Sequence, residues 1–269
     1  VPATIAHPAA VIPLQKLGLP LSALIIGSLM PDFEFFLRIS SERIIGHTFP
    51  GVFLFCLPIG LIFLFIFHYL LKKPLISLLP TTHQCRILHY FEEFRFFPLL
   101  QFLKITIALL IGIFSHLLLD SFTHENSFFT AHIPFLSFSF LMAPFGTVRI
   151  YFLLQQFFSI AGIVLMVIWY LNWCKCLPSG KKTFNVMDKK RKIIVLLLIL
   201  FFTLITASIA GPMITFSQFN SAQTDFYLQL ISHSAIAMVS GFLSALVVYS
   251  LSWHVFLSPE QKTAIHNDL

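Results

Sequence analysis

The run Ile105–Asp120, ITIALLIGIFSHLLLD, decides the fold. It carries no charge until Asp120, and it sits in a chain of 269 residues that is 57% hydrophobic and only 10% charged, with 33 phenylalanines. A water-soluble domain carries about 25% charged and about 45–50% apolar residues. Most of a soluble surface must face water, and a chain this apolar has too little polar surface to cover itself. Lipid is therefore the solvent, which excludes a soluble enzyme, a disordered chain and a secreted disulfide scaffold.

Working outward, Ile105–Leu119 with its flanks is one of five such runs, with Gly51–Leu71, Tyr151–Trp173, Ile193–Thr215 and Leu228–Trp253. A spanning helix needs about 20 mainly apolar residues. The expected fold class is all-α: a polytopic transmembrane helix bundle of five spans plus an N-terminal short-helix hairpin. Ala9–Gln15 and Leu19–Met30 are apolar but interrupted by Pro13, Lys16, Gly18 and Pro20. A dozen helical residues rise about 18 Å, short of a hydrocarbon core of about 30 Å. A hairpin is the expectation, and one tilted, kinked span the alternative. The whole chain, 1–269, reads as a single integral membrane domain: a motif-bearing region over residues 1–173, a basic cytoplasmic loop 174–192 and two C-terminal spans within 193–269. No internal repeat supports an inverted-repeat transporter. The N-terminus lacks a basic n-region and a cleavage-like site, so no secretory leader is expected, and Val1 implies a preceding methionine.

Charge sets the orientation. The net charge is +6, and its lysines and arginines crowd beside apolar runs, so it is read as topology rather than as a nucleic-acid surface. The loop 72–104 (Lys72, Lys73, Arg86, Arg95, Lys104) and the loop 174–192 (Lys175, Lys181, Lys182, Lys189, Lys190, Arg191, Lys192) belong in the cytoplasm, together with the C-terminus. The loops 120–150 and 216–227 and the segment 31–50 then face outward, which in a bacterial inner membrane means the periplasm.

Ligand-type residues collect on that outer face. His116, Asp120 and His124 recur every fourth residue, so a continuing helix puts neighbouring Cβ atoms about 5–6 Å apart on one face. Asp32, Glu34 and His47 lie at the same level, and a hairpin returns His7 to it. Histidines and carboxylates are costly in an apolar span unless they face a cavity, a partner or a metal. The candidate metal ligands are His7, Asp32, His47, His116, Asp120 and His124, with zinc the expected ion because a histidine-plus-carboxylate set suits it. Glu34 is a ligand or a general base, and Asp120 is the second candidate catalytic residue.

Other polar residues receive plainer readings. His68, His83, His89, His254 and His266 are taken as interfacial or solvated, and Glu92 with Glu93 as a solvated pair. His233 is read as a helix–helix hydrogen-bonding group, Gln155 and Gln156 as glue between helices, and Phe128–Phe145 as an interfacial cover. Cys174-x-Cys176 is an incidental reduced pair. No Gly-rich phosphate loop or nucleophile elbow is present.

The segments AHPAAVIPL (from Ala6), ALIIGSLMPDFEFFL (from Ala23), GHTFPGVFLFCLPIGL (from Gly46) and SHLLLDSFTHENSFF (from Ser115) resemble a bacterial family of integral membrane proteins filed as a domain of unknown function. The resemblance runs to about residue 173. More distantly, the sequence is similar to the membrane-bound metal-dependent hydrolases, at His7, Asp32, Glu34, His47 and the His116–Asp120 pair. Two departures stand out. Gly46 precedes His47 where the hydrolase pattern has an earlier histidine, and Gln156 stands where close relatives are expected to carry one. The resemblance implies a metal-dependent hydrolase; with the ligand-type residues on the outer face, at lipid-headgroup level, a phosphoester or lipid-linked substrate is expected. The rival reading is a transporter or assembly protein that uses the same cluster.

Overall fold

The computed structural model describes residues 4–88, 94–142, 146–176, 187–218 and 226–256. His89, Glu92, Glu93, Lys181, Lys182, Lys262 and His266 lie outside the described residues, as do stretches of the basic loop, of the loop 216–227 and of the Phe-rich segment. The architecture is all-α. Among the described residues six long helices organise it: α1 (Leu21–Arg38), α2 (Phe49–Leu78, with two π-helical turns), α3 (Leu99–Thr123), α4 (Ile150–Cys176), α5 (Lys189–Gln218) and α6 (Phe226–Phe256). Helices α2 to α6 are long and apolar enough to cross a membrane. Each runs past the apolar stretch that announces it, because backbone hydrogen bonding continues through the lysines and glutamines at its ends. The helix α2 passes through Lys72, Lys73 and Pro74, where Pro74, Ile76 and Ser77 are buried, and α3 begins before Lys104.

The chain folds as two compact units. The first comprises 1–34, 43–64 and 95–170. Its N-terminus is the expected hairpin: short helical turns over Thr4–Leu17, a left-handed turn at Gly18 (φ 73°), then α1. Lys16 at the apex is exposed. The α1–α3 crossing sets the geometry of this unit. A Cβ on Gly112 of α3 would lie 2.4 Å from the Leu24 carbonyl oxygen, and one on Gly27 of α1 would lie 2.3 Å from that of Leu109. Only glycine lets the two backbones approach so closely. One turn along from this contact Ser28 meets His116, and one turn further Asp32 meets Asp120. After α3 the chain forms short helices Phe128–His132 and Pro134–Ser137 and an antiparallel pair, β1 (Ser139–Met142) with β2 (Gly146–Arg149). Phe128, Phe135 and Phe138 are exposed.

The second unit comprises 35–42, 65–94 and 171–269. Helices α5 and α6 pack against each other through Gly211 on Ser234 and Gly241 on Thr206. His233 hydrogen-bonds Thr215 across them (3.0 Å), the helix–helix role expected of it. Among the described residues of this unit, His68, His83 and His254 are half-buried and partnered rather than solvated. His68 stacks on Phe94, His83 Nδ1 lies 3.6 Å from Cys174 Sγ, and His254 Nε2 donates to the Leu70 carbonyl (3.1 Å). Leu197, Leu198, Leu200 and Phe201 on α5 are exposed, as lipid-facing side chains are.

Candidate metal centre

Within the first unit, Asp32, His47, His116 and Asp120 each aim one ligand atom at a common point, and the four atoms lie within 4.8 Å of one another. His47 Nε2 is 3.3 Å from Asp32 Oδ1 and 3.3 Å from Asp120 Oδ2. His116 Nε2 is 3.5 and 3.6 Å from the same two oxygens. Asp32 is 1% exposed and His116 is fully buried.

The proton inventory explains why these contacts matter. His116 Nδ1 lies 2.8 Å from the Ser28 carbonyl oxygen. That oxygen only accepts, so Nδ1 carries the proton and a neutral ring turns its Nε2 lone pair onto two carboxylates. Neither His116 Nε2 nor Asp32 Oδ1 has a hydrogen-bond partner, and both are buried. Electron pairs facing one another in a buried site call for a proton or a metal cation between them. A histidine fixed through Nδ1 by a backbone carbonyl is the arrangement that presents Nε2 to a metal.

Each ligand is held from outside. Thr4 Oγ1 donates to Asp32 Oδ2 at 2.6 Å, a tie between the two arms of the hairpin. His47 is placed by Glu34, whose Oε2 accepts backbone N–H groups of Gly46 (2.8 Å), Ile45 (3.0 Å) and Ile44 (3.4 Å). The Cys56 thiol donates to the Gly46 carbonyl (3.3 Å). A Cβ on Gly46 would meet the Pro31 carbonyl oxygen at 2.3 Å, so this loop also needs its glycine. Asp120 receives Arg43 Nη2 at Oδ2 (2.7 Å), while its Oδ1 faces His7 Nε2 (3.3 Å) and His124 Nδ1 (3.4 Å).

Residues 1–251 match the family described as "Domain of unknown function (DUF4184)". The chain belongs to that family. No curated protein and no solved structure matches it. The match runs through α5 and into α6, well past residue 173, where the resemblance read from the motifs fades. The family description assigns no activity.

In this DUF4184 protein all seven sequence candidates lie in the first unit, in two tiers. Asp32, His47, His116 and Asp120 form the four-atom set. His7 flanks it: its Nδ1 donates to the Thr4 carbonyl (3.3 Å), and its ring stacks on His116 at 3.9 Å between centroids. His124 also flanks it. Helix α3 ends at Thr123, and His124 is the extended C-cap (φ −119°, ψ 146°), so its side chain leaves the stripe that the four-residue spacing implies. Its Nε2 takes the Gln155 amide (2.8 Å). Glu34 points to the 44–46 amides because it stands two residues from Asp32, about 200° around the same helix. Gln155 therefore supports the cluster, while Gln156 is exposed. Glu125 pairs with Arg149, and His132 donates to the Phe128 carbonyl (2.7 Å).

Arg43, Thr4 and Ser28 escaped the sequence reading. Arg43 had one visible signal, a basic residue in a segment assigned to the outer face. Thr4 had none, and the Ser28 contribution is a main-chain carbonyl that any residue possesses. A cavity of about 30 Å³ opens beside His7, Asp120, Thr123, Gln155 and Ser159, room for one water.

Proposed function

We propose that this protein is a membrane-embedded, metal-dependent hydrolase, with its site at the outer face of a bacterial inner membrane and its C-terminus in the cytoplasm. The observation that carries the reading is the convergence of two carboxylates and two imidazoles, with His116 locked by the Ser28 carbonyl so that its free nitrogen faces the other ligands. Two imidazoles and two carboxylates suit Zn²⁺. The charge distribution along the sequence supports the orientation. Asp32, His47, His116 and Asp120 would hold a divalent ion, which would supply Lewis acidity toward water and the ester.

The chain's own groups do the rest. Asp32 and Asp120 balance the ion's charge. His7, beside the water-sized cavity and 3.3 Å from Asp120 Oδ1, is placed to accept a proton from the attacking water. Glu34 keeps His47 in position through the loop amides. His124 and Gln155 orient Asp120. The position of the site and the apolar surroundings favour a phosphoester or lipid-linked substrate.

Metal analysis and turnover of the purified protein test the reading. The expected result is stoichiometric metal in the wild type, lost in His116→Ala and Asp120→Asn, with hydrolysis of phosphoester lipids in liposomes and no transmembrane flux. Wild-type protein that binds no divalent metal would refute it.

A further inference from the structure

Arg43 supplies a permanent positive charge at the cluster, because a guanidinium does not lose its proton in proteins. Its Nη2 donates at 2.7 Å to Asp120 Oδ2. That oxygen is also the one facing His47 Nε2 at 3.3 Å and His116 Nε2 at 3.6 Å. The guanidinium is thus attached to an oxygen that a metal ion at the four-ligand point would use. The Arg43 side chain is 30% exposed and that of Asp120 only 6%, so the cationic head reaches inward from the mouth of the site. Its loop is pinned from the next residue on, where the Ile44, Ile45 and Gly46 amides donate to Glu34, so the backbone is fixed beside a long side chain.

Charge counting gives this contact a purpose. Asp32 and Asp120 carry two negative charges, Arg43 one positive, and imidazoles that ligate a metal are neutral. A divalent cation at the cluster turns the sum into a single positive charge, located where Arg43 meets the mouth. A planar guanidinium fork matches the oxygens of a phosphoryl group.

We propose that Arg43 exchanges partners: it pairs with Asp120 when the cluster holds no metal, and it clamps the phosphoryl group of the substrate once a divalent cation has taken over the Asp120 charge. This rests on the metal-centre reading and adds the substrate group that the centre selects. Metal and phosphoryl anion then bind with positive coupling, and the coupling is reciprocal.

Titration of the purified full-length protein in detergent with Zn²⁺, with and without phenylphosphonate as a non-hydrolysable phosphoryl probe, tests the exchange. In phosphonate-free buffer Arg43→Ala should bind Zn²⁺ about tenfold more tightly, since a competitor worth one charge-assisted hydrogen bond is gone. In wild type the probe should tighten Zn²⁺ binding, and in Arg43→Ala that coupling should vanish. Arg43→Gln keeps much of the side-chain length without the charge and carries the same test if the alanine variant does not fold. Weaker Zn²⁺ binding by both variants would make Arg43 a positioning residue and overturn the proposal, as would unchanged phosphonate coupling. Failure of wild type to bind Zn²⁺ is a separate result, which removes the metal-centre reading itself. Competition by phosphatidic acid micelles against the probe would assign the phosphoryl group to a lipid headgroup, and lack of competition to a soluble phosphoester; both support the clamp.

Discussion

Gly112→Ala is the most demanding probe of the way helix packing creates the centre, because it adds one methyl group and touches no ligand. The added Cβ would lie 2.4 Å from the Leu24 carbonyl oxygen, 2.6 Å from the Ser28 nitrogen and 2.8 Å from the Gly27 carbonyl carbon, where ordinary contact begins at 3.4 Å. All three atoms are backbone, so no side chain can rotate away, and α1 and α3 must separate by about 1 Å. The same displacement acts one turn along, at the 2.8 Å bond between His116 Nδ1 and the Ser28 oxygen. Stretched by about 1 Å, that contact is no longer a hydrogen bond. One turn further it parts Asp32 from Asp120, whereas ligand distances tolerate about 0.2 Å. Loss of such an outer support costs about 10–100-fold in metal affinity, and overpacking costs about 1–3 kcal/mol of stability. Metal titration and thermal unfolding of the purified variant measure the two effects. Gly241→Ala, which meets Thr206 Cβ at 2.6 Å in the second unit and carries no ligand, is the control: stability should fall with metal affinity unchanged. If Gly112→Ala binds metal as tightly as wild type, the centre is not set by the α1–α3 contact.

Two other substitutions isolate the supports. Thr4→Val removes the 2.6 Å donor to Asp32 Oδ2 while keeping the side-chain shape; the cost expected from thermal unfolding of the metal-free protein is about 1–3 kcal/mol, with a smaller loss in the metal-loaded form, where the ion compensates the carboxylate. Glu34→Gln weakens the acceptor for the Ile44, Ile45 and Gly46 amides. Faster amide hydrogen exchange at 44–46 and weaker metal binding are expected, and normal exchange with lost activity would instead make Glu34 a proton-transfer group.

The spans were legible because a bilayer demands long apolar runs, and nothing shorter satisfies that demand. The hairpin was legible from Pro13, Gly18 and Pro20, residues that punctuate a helix for stereochemical reasons. The helix ends were less so: hydropathy records where lipid ends, whereas α2 continues through Lys72 to Leu78, where Pro74, Ile76 and Ser77 are buried and Ser77 hydrogen-bonds Tyr249. In the site, the His116–Asp120 step could be read from helical period. Its extension to His124 could not, since that depends on where α3 stops. The two carboxylates of Pro31-Asp32-Phe33-Glu34 looked equivalent as residue types. On a helix they point to nearly opposite sides, so one reaches the cluster and the other the loop that carries His47. Arg43 came to Asp120 through a loop path that no period encodes.

These elements share one physical logic. Two buried carboxylates in a protein that lives in lipid are tolerable only when cations and donors answer each lone pair. Thr4 answers Asp32 Oδ2, Arg43 answers Asp120 Oδ2, and the imidazoles stand opposite the oxygens that remain. Yet the best-fixed imidazole, His116, has spent its neutral-state proton on a main-chain carbonyl and answers with a lone pair. Either a second proton on that ring or a cation at the point where the four ligand atoms converge answers the electron pairs that remain, and the cation is the answer that engages all four atoms at once.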